Sequence, residues 1–167
     1  MSHQLAISFL MMWISLDAPG CSADFRSAIR PATLQAEQTL VSSIPQLEGC
    51  AASALADSRR VFIYFFGTTD PHTGSSWCPD VRRAEPAVLT ALRMTNESDL
   101  FIWCEVGDRD EWISPDNPFR KHHVFRLKEI PTLVSLTLHN GILDVKSRLI
   151  GNDCKQVRLV EKFFVQG

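Results

Sequence analysis

Four consecutive residues, Trp77, Cys78, Pro79 and Asp80, have the clearest capacity for chemistry in this chain. They stand where an apolar run, a polar loop and a helical pattern meet, and a proline such as Pro79 is typical of the first position of a helix. Cys78 is therefore expected at the helix cap, where unpaired backbone N–H groups and the helix dipole favour the nucleophilic thiolate. The alternative, from these residues alone, is a cysteine that only packs in the core.

A further proline, Pro131, directly precedes an apolar run that is typical of a strand. Because proline cannot donate to a strand ladder, this position indicates a tight turn, in which the peptide bond is either trans, the commoner form, or cis. Pro86 stands eight residues after Cys78, inside the predicted helix. The three prolines thus accompany the cysteine at places where elements begin or bend.

The elements that must position these residues alternate along the chain. Continuous apolar runs are typical of strands buried on both faces, and Asn140-Gly141 predicts a hairpin turn. Predicted helices cover 45–56, 79–94, 119–123 and 153–165, and predicted strands cover 61–66, 100–106, 132–138 and 142–145. The segments 67–76 and 107–118 are polar and turn-rich. This order predicts one α/β domain with a mixed, four- to five-stranded central sheet flanked by helices.

Composition excludes several classes of protein. The 167 residues are 45% hydrophobic and 22% charged, which is typical of a soluble globular domain and excludes a disordered chain, a collagen-like repeat and a multi-span membrane protein. A net charge of -2 leaves no basic excess for nucleic acid. The five cysteines include no Cys-x-x-Cys pair, so we expect no structural zinc and no other cofactor.

Residues 1–37 are expected to form an extension outside a domain at 38–167. The uncharged run Leu5–Leu16 is short for a bilayer span but has the length of a signal-peptide apolar region, and small residues follow Cys21. No Lys or Arg precedes the run. We therefore expect a cytoplasmic protein, with secretion as the alternative if residues 1–23 act as a signal peptide.

The chain resembles the Clot-type thioredoxin-like family, the relatives of thioredoxin domain-containing protein 17. The resemblance runs from about Val41 to Phe164 and rests on five segments: Phe65–Gly67, Ser76–Asp80, Ala84–Pro86, Phe101–Gly107 and Asp116–Arg120. It implies a thioredoxin fold, reduction of disulfides on small molecules and selected proteins, and recycling by thioredoxin reductase.

The resemblance also implies roles for single residues. Cys78 matches the attacking cysteine, and Pro131 matches the cis-proline that faces it. Trp77, Pro79 and Asp80 match the remainder of the active-site motif. The family motif ends in a second cysteine, whereas this chain has Val81 there.

Val81 changes the expected chemistry. In a dithiol mechanism the first thiolate forms a mixed disulfide with the substrate, and the second thiol then releases the product. Because valine cannot do this, an external thiol such as glutathione or a partner thiol would have to resolve the intermediate, as in monothiol glutaredoxins. Cys104, in a predicted strand, and Cys154, before the last helix, are expected to pack. The roles of Cys21 and Cys50 stay open.

Three functions are compatible with these residues. The leading one is a monomeric thiol oxidoreductase that attacks disulfide-containing proteins or small disulfides through Cys78, with thioredoxin reductase or glutathione as reductant. A redox-inactive binding or adaptor module is the alternative, which Val81 favours and the retained motif disfavours. An iron–sulfur carrier is the third, although the Cys-Gly-Phe-Ser motif of monothiol glutaredoxins is missing.

The remaining histidines, aspartates and aromatic residues give weaker indications of a functional site. His72 is expected to be a solvated loop residue rather than a metal ligand, and His122 and His123 are expected at a helix end. Asp108 and Asp110 belong to an acidic segment without the spacing of a calcium loop, and we interpret that segment as a solvated, substrate-selecting loop. Trp103 is expected in the core, and Trp112 is a candidate partner contact. Tyr64 stands where many thioredoxins bury an aspartate, so no general base is assigned.

Overall fold

The computed structural model describes residues 36–167. Almost all of the expected N-terminal extension therefore lies outside the described residues, including Leu5–Leu16, the signal-peptide alternative and Cys21. Within the described part, Glu37 already begins the first strand of the sheet, one residue before the expected domain start at 38.

Seven strands and five helices make up the described chain. The strands are β1 Glu37–Val41, β2 Val61–Phe66, β3 Thr69–Asp70, β4 Ser75–Ser76, β5 Leu100–Glu105, β6 Thr132–His139 and β7 Ile142–Ile150. The helices are α1 Ile44–Ala56, α2 Pro79–Ala91, α3 Arg109–Ile113, α4 Pro118–Lys121 and α5 Val157–Gln166, with 3₁₀ turns at Leu92–Met94 and Gly151–Lys155.

The central sheet has the strand order β1-β5-β2-β6-β7. Both β1 and β2 run parallel to β5, whereas β6 is antiparallel to β2 and β7 is antiparallel to β6. The predicted mixed α/β sheet is thus confirmed, with five strands. The carboxyl end of β2 and the amino end of β6 lie at the same edge, because Phe65 pairs with Thr132. That edge carries the loop to Cys78 and the turn at Pro131.

The core contains aromatic side chains on both faces of the sheet. On one face, Phe62 of β2 makes an edge-to-face contact with Phe164 of α5, with ring centroids 5.0 Å apart. On the other face, Phe65 packs on Phe125 at 5.2 Å. All six residues of β2 are buried, as expected for a strand covered on both sides. Such rings remove much apolar surface from water and fix the site-bearing edge of the sheet.

Several boundaries differ from the sequence prediction. The predicted loop 67–76 contains the two-stranded hairpin of β3 and β4, and the polar segment 107–118 contains α3. The predicted helix 153–165 is divided into the 3₁₀ turn Gly151–Lys155 and α5. Strand β7 extends to Ile150 rather than ending at 145. Strand β1 was not predicted.

Candidate active site

Cys78 is the N-cap residue of α2, and Pro79 occupies the first turn. The backbone of Cys78 is extended, with φ -80° and ψ 119°, and Cys78 is 7% exposed. The Sγ atom lies 4.0 Å from the carbonyl oxygen of Ile130, and the peptide bond from Ile130 to Pro131 is cis. The fold therefore brings the predicted nucleophile next to the predicted proline turn, although 52 residues separate Cys78 from Ile130.

A buried serine anchors the loop that ends at Cys78. The backbone N–H of Cys78 donates to Ser76 Oγ at 3.3 Å, and the Ser76 hydroxyl donates to the carbonyl of Gly67 at 2.6 Å. Gly67 directly follows β2, so this chain of bonds ties the thiol-bearing backbone to the end of a central strand. Ser76 matched the family segment in sequence, but its anchoring role follows only from this geometry.

Two glycines frame the side chain of Trp77. The indole Nε1–H donates to the carbonyl of Gly107 at 3.0 Å, and the same carbonyl accepts the N–H of Thr68 at 3.1 Å. A Cβ atom at Gly67 would lie 2.5 Å from the indole ring. Neither glycine was singled out for the site from sequence. The signal that was available is that each one directly follows a predicted strand, a place where close backbone approach favours glycine.

Asp80 forms an ion pair with a residue that sequence reasoning missed. Its Oδ1 accepts from Lys155 Nζ at 2.8 Å and from Arg83 at 3.3 Å. The hydrogen bond and charge of Lys155, followed by the charge of Arg83, hold the pKa of the Asp80 carboxyl below its usual range. Lys155 comes from the 3₁₀ turn before α5, and no local sequence signal marks a contact across 75 residues.

Arg82 folds back over the loop that precedes the thiol. Its Nη1 donates to the carbonyl of Ser76 at 2.7 Å and to the carbonyl of Trp77 at 3.0 Å. A guanidinium group presents several donors in fixed directions, so one side chain can hold two successive carbonyls. Arg82 thus places a positive charge on the loop that precedes Cys78 and fixes the backbone there.

Val81 is 1% exposed and packs into the core from the first turn of α2. The side chain at position 81 is therefore fixed by apolar contacts. Cys104 and Cys154 are free and buried. Burial raises the pKa of the Cys104 thiol well above its ordinary value and that of Cys154 to about 12. Both thiols stay protonated at neutral pH.

Cys154 lies beneath the proline turn. Its Sγ is 3.4 Å from the carbonyl oxygen of Leu149 and 3.8 Å from that of Pro131. Cys50 is buried on α1. Cys21 lies outside the described residues.

The remaining sequence candidates lie away from the thiol or in the core. His72 is exposed in the hairpin turn, and His122 stacks on Phe125 with ring centroids 4.6 Å apart. Trp103 is buried, as predicted, and its Nε1–H donates to Gln38 Oε1 at 2.9 Å. Trp112 is also buried, so the candidate partner contact at this residue is wrong: its ring packs inward beneath an arginine.

Residues 36–167 contain neither a metal-binding cluster nor a membrane-spanning helix. No group of three or more His, Cys, Asp or Glu side chains in this range has a metal-binding arrangement. No helix in the same range is both long enough and apolar enough to cross a membrane.

Known proteins resemble most of the chain. Residues 35–166 match the family described as "Thioredoxin domain-containing protein 17-like, thioredoxin domain". Thioredoxin domain-containing protein 17 of Danio rerio is 36% identical over 119 residues, covering 71% of this chain and 89% of that relative. The thioredoxin-like protein Clot of Arabidopsis thaliana is 41% identical over 96 residues, covering 58% of this chain and 69% of that relative.

Solved structures agree on the fold. A thioredoxin of Plasmodium falciparum superposes with a TM-score of 0.52 at 16% identity, covering 79% of this chain and 88% of that structure. A poplar thioredoxin h superposes with a TM-score of 0.52 at 16% identity, covering 77% of this chain and 94% of that structure. The predicted thioredoxin fold is confirmed, and the family supports a thiol oxidoreductase-type function in general. The chain belongs to the thioredoxin domain-containing protein 17-like family, the one predicted from its sequence.

Proposed function

We propose that this protein is a thiol oxidoreductase that reduces disulfides through one nucleophile, Cys78. The observation that carries the proposal is the position of Cys78 at the N-cap of the 13-residue helix α2, with Sγ 4.0 Å from the carbonyl of Ile130 at the cis-proline turn. The helix dipole and the nearby backbone N–H groups stabilise negative charge at this place. Trp77, Pro79, Asp80 and Pro131 are proposed to shape the surface on which the substrate disulfide lies.

The first step forms a mixed disulfide. The Cys78 thiolate attacks one sulfur of a substrate R–S–S–R′, the S–S bond of the substrate breaks, and a bond forms between Cys78 and R–S. The leaving R′–S⁻ takes a proton from solvent. Arg82, whose guanidinium fixes the two carbonyls before Cys78, holds the attacking atom in place during this exchange.

The second step needs thiols that the described chain does not supply. Val81 has no sulfur, Cys104 and Cys154 are buried and protonated, and Cys50 carries no free thiol. An external thiolate therefore displaces R–S⁻ from Cys78 and takes its place in the mixed disulfide. A second external thiolate then frees Cys78 and leaves in an oxidised external disulfide. The substrate gains two electrons and two protons from two external thiols.

Glutathione or a partner thiol is the proposed external reductant, and thioredoxin reductase is the other candidate. A cytoplasmic location, where glutathione keeps thiols reduced, suits this requirement. The substrates are disulfide-containing proteins or small disulfides, and the protein is proposed to act as a monomer.

The test traps the mixed disulfide. After titration of its reactive thiols at neutral pH, the reduced protein is incubated with cystine or insulin and its intact mass is measured. We expect one adduct, mapped to Cys78 by peptide digestion, which persists until glutathione is added. The Cys78→Ser variant serves as control and should lack it. An adduct of equal yield in that variant, or an unreactive Cys78 in the folded wild type, would contradict the proposal.

A redox-inactive binding module is the second candidate, and Val81 is the observation that favours it. The two functions differ in what Cys78→Ser does to a bound partner. A binding module keeps its partner in that variant, whereas an oxidoreductase loses the covalent complex. The turnover of cystine in the presence of glutathione and glutathione reductase also distinguishes the two functions, because only an oxidoreductase accelerates it.

A further inference from the structure

We infer that the groove beside Trp77 binds a positively charged segment of the substrate, one with Lys or Arg close in sequence to the disulfide cysteine. This inference rests on the proposed function, because Trp77 is the residue before the nucleophile. The inference goes beyond the proposed function because it names the chemical class of substrate that this chain selects.

The groove lies between the β3–β4 hairpin and the start of α3. Its volume is about 410 Å³, which is within the range of small-ligand sites. Eight residues line it: Thr68, Thr69, Asp70, Pro71, Trp77, Asp108, Arg109 and Asp110. Because Trp77 belongs both to this lining and to the thiol loop, a peptide in the groove contacts the residue that directly precedes the nucleophile.

The walls of the groove are held by backbone bonds. Thr68 N–H donates to the Gly107 carbonyl at 3.1 Å, which joins the two loops that form the walls. Thr69 N–H donates to Glu105 Oε1 at 3.2 Å. The same Gly107 carbonyl fixes the indole of Trp77. A site built in this way is formed before the ligand arrives, which reduces the entropy lost on binding.

The charge of the groove determines which kind of substrate segment it binds. Asp70, Asp108 and Asp110 contribute three carboxylates to the lining, and Arg109 contributes one cation. Within residues 36–167, none of the three aspartates forms an ion pair, whereas Asp80 and Asp116 each pair with a lysine. Among the described residues, the lining therefore has a net negative charge, which Arg109 offsets only in part, and it attracts a cation.

The hydrogen bonds of these aspartates leave their charge in place. Asp70 Oδ1 accepts the backbone N–H of His72 at 2.7 Å, and Asp108 Oδ1 accepts that of Glu111 at 2.8 Å. Both donors are neutral, so the carboxylates still present a negative potential. The lining also includes Pro71 and Trp77, apolar surfaces on which the methylene stem of a Lys or Arg can pack while its charged end meets the carboxylates.

The test compares two peptides that differ only in charge. Each has one cysteine activated as a 2-thiopyridyl disulfide, flanked by lysines in one peptide and by glutamates in the other. The thiolate of Cys78 attacks the peptide sulfur, and the neutral thiopyridone that leaves is followed by absorbance. At low ionic strength we expect the lysine peptide to react about tenfold faster, and the ratio to fall as salt is added.

Matched variants connect the preference to the groove. Asp70→Asn, Asp108→Asn and Asp110→Asn, combined, remove the charge, while asparagine can still form the turn and the helix cap. This variant should lose the preference, and Arg109→Gln should increase it. Asp144→Asn is the control, because Asp144 is exposed on β7 and pairs with Thr137 of β6, far along both strands from the proline turn.

Two outcomes separate this inference from the proposed function. Equal rates for the two peptides in the wild type, or a preference unchanged in the triple variant, overturn the groove inference if the uncharged probe dithiodipyridine still reacts with Cys78. If Cys78 reacts with neither peptide nor with dithiodipyridine, the proposed function itself fails.

Discussion

The chemistry proposed for this site depends on one side chain, Val81, which the resemblance drawn from the sequence places where the family motif has its second cysteine. Val81 is 1% exposed and lies in the first turn of α2, directly beyond the segment that carries Cys78. A cysteine at position 81 would have its side chain attached at the same place in the first turn of α2. The surrounding loop, with Trp77 and Arg82 held by hydrogen bonds, does not depend on the identity of residue 81. A substitution at residue 81 is therefore expected to be a local change that leaves this loop in place.

Val81→Cys should restore dithiol turnover. We expect the variant to reduce insulin with thioredoxin reductase and NADPH at least about tenfold faster than the wild type, because the second thiol can release the mixed disulfide internally. The loss of a buried methyl group costs about 1 kcal/mol of the free energy of unfolding, which a folded domain tolerates. The oxidation of NADPH measures the turnover, and the lifetime of the Cys78 adduct should shorten in parallel.

Val81→Ala is the matched control, since it removes buried methyl groups without adding a thiol. It should lose stability and gain no turnover. If Val81→Cys folds, as judged by circular dichroism, and stays as slow as the wild type, then the missing thiol does not limit the reaction.

At the scale of elements, apolar runs and prolines were reliable guides. Continuous apolar runs predicted strands β2 and β5, because a parallel strand that is covered on both faces needs apolar residues on both. Pro79 marked the start of α2, since proline has no N–H to leave unpaired in a first turn. The position of Cys78 at a helix cap followed directly, and so did its proximity to the end of a buried strand.

The elements that were missed are stabilised by contacts that local sequence does not encode. Strand β1, with the sequence EQTLV, has little apolar pattern of its own and is stabilised by its pairing with β5. Helix α3 is five residues long and depends on a capping box between Asp108 and Glu111. The ion pair of Lys155 with Asp80 exists only because α2 packs beside the 3₁₀ turn before α5. Such contacts are visible only in the folded chain.

Gly67→Ala should disturb the loop between β2 and the thiol. The added Cβ would lie 2.5 Å from the indole of Trp77, so the ring or the backbone must move. We expect the free energy of unfolding to fall by about 1–3 kcal/mol, as for other overpacked positions, and Cys78 to react more slowly with dithiodipyridine. Chemical denaturation measures the first effect, and thiopyridone release measures the second.

Gly49→Ala provides the opposite case. Gly49 lies within α1, and a Cβ there meets nothing within 4 Å. Alanine should stabilise the helix by about 0.5–1 kcal/mol and leave the thiol rate unchanged. If both variants behave alike, the close approach of Gly67 to Trp77 has no influence on the site.

At the scale of the whole molecule, the free thiols of Cys104 and Cys154 are deeply buried, and they connect its stability to pH. Burial holds the pKa of Cys154 at about 12, and that of Cys104 is also raised well above its ordinary value near 9. In the unfolded chain both thiols lose their protons near pH 9, so the unfolded state binds fewer protons than the folded state above that pH. The stability from these thiols is fully present below pH 9 and is lost as the pH rises toward 12.

Cys154→Ala should therefore flatten the alkaline part of the stability curve. Between about pH 9.5 and 11, each buried thiol contributes a slope of about 1.4 kcal/mol per pH unit to the free energy of unfolding, and the variant lacks one of the two. Denaturant titrations across this range measure the slope. Val160→Ala is the control, because it removes buried apolar contacts without removing a proton and should lower stability equally at every pH. A slope unchanged in Cys154→Ala would mean that this thiol titrates alike in the folded and unfolded states. In that case the Sγ atom would have to be reached by water despite its place under Pro131 and Leu149.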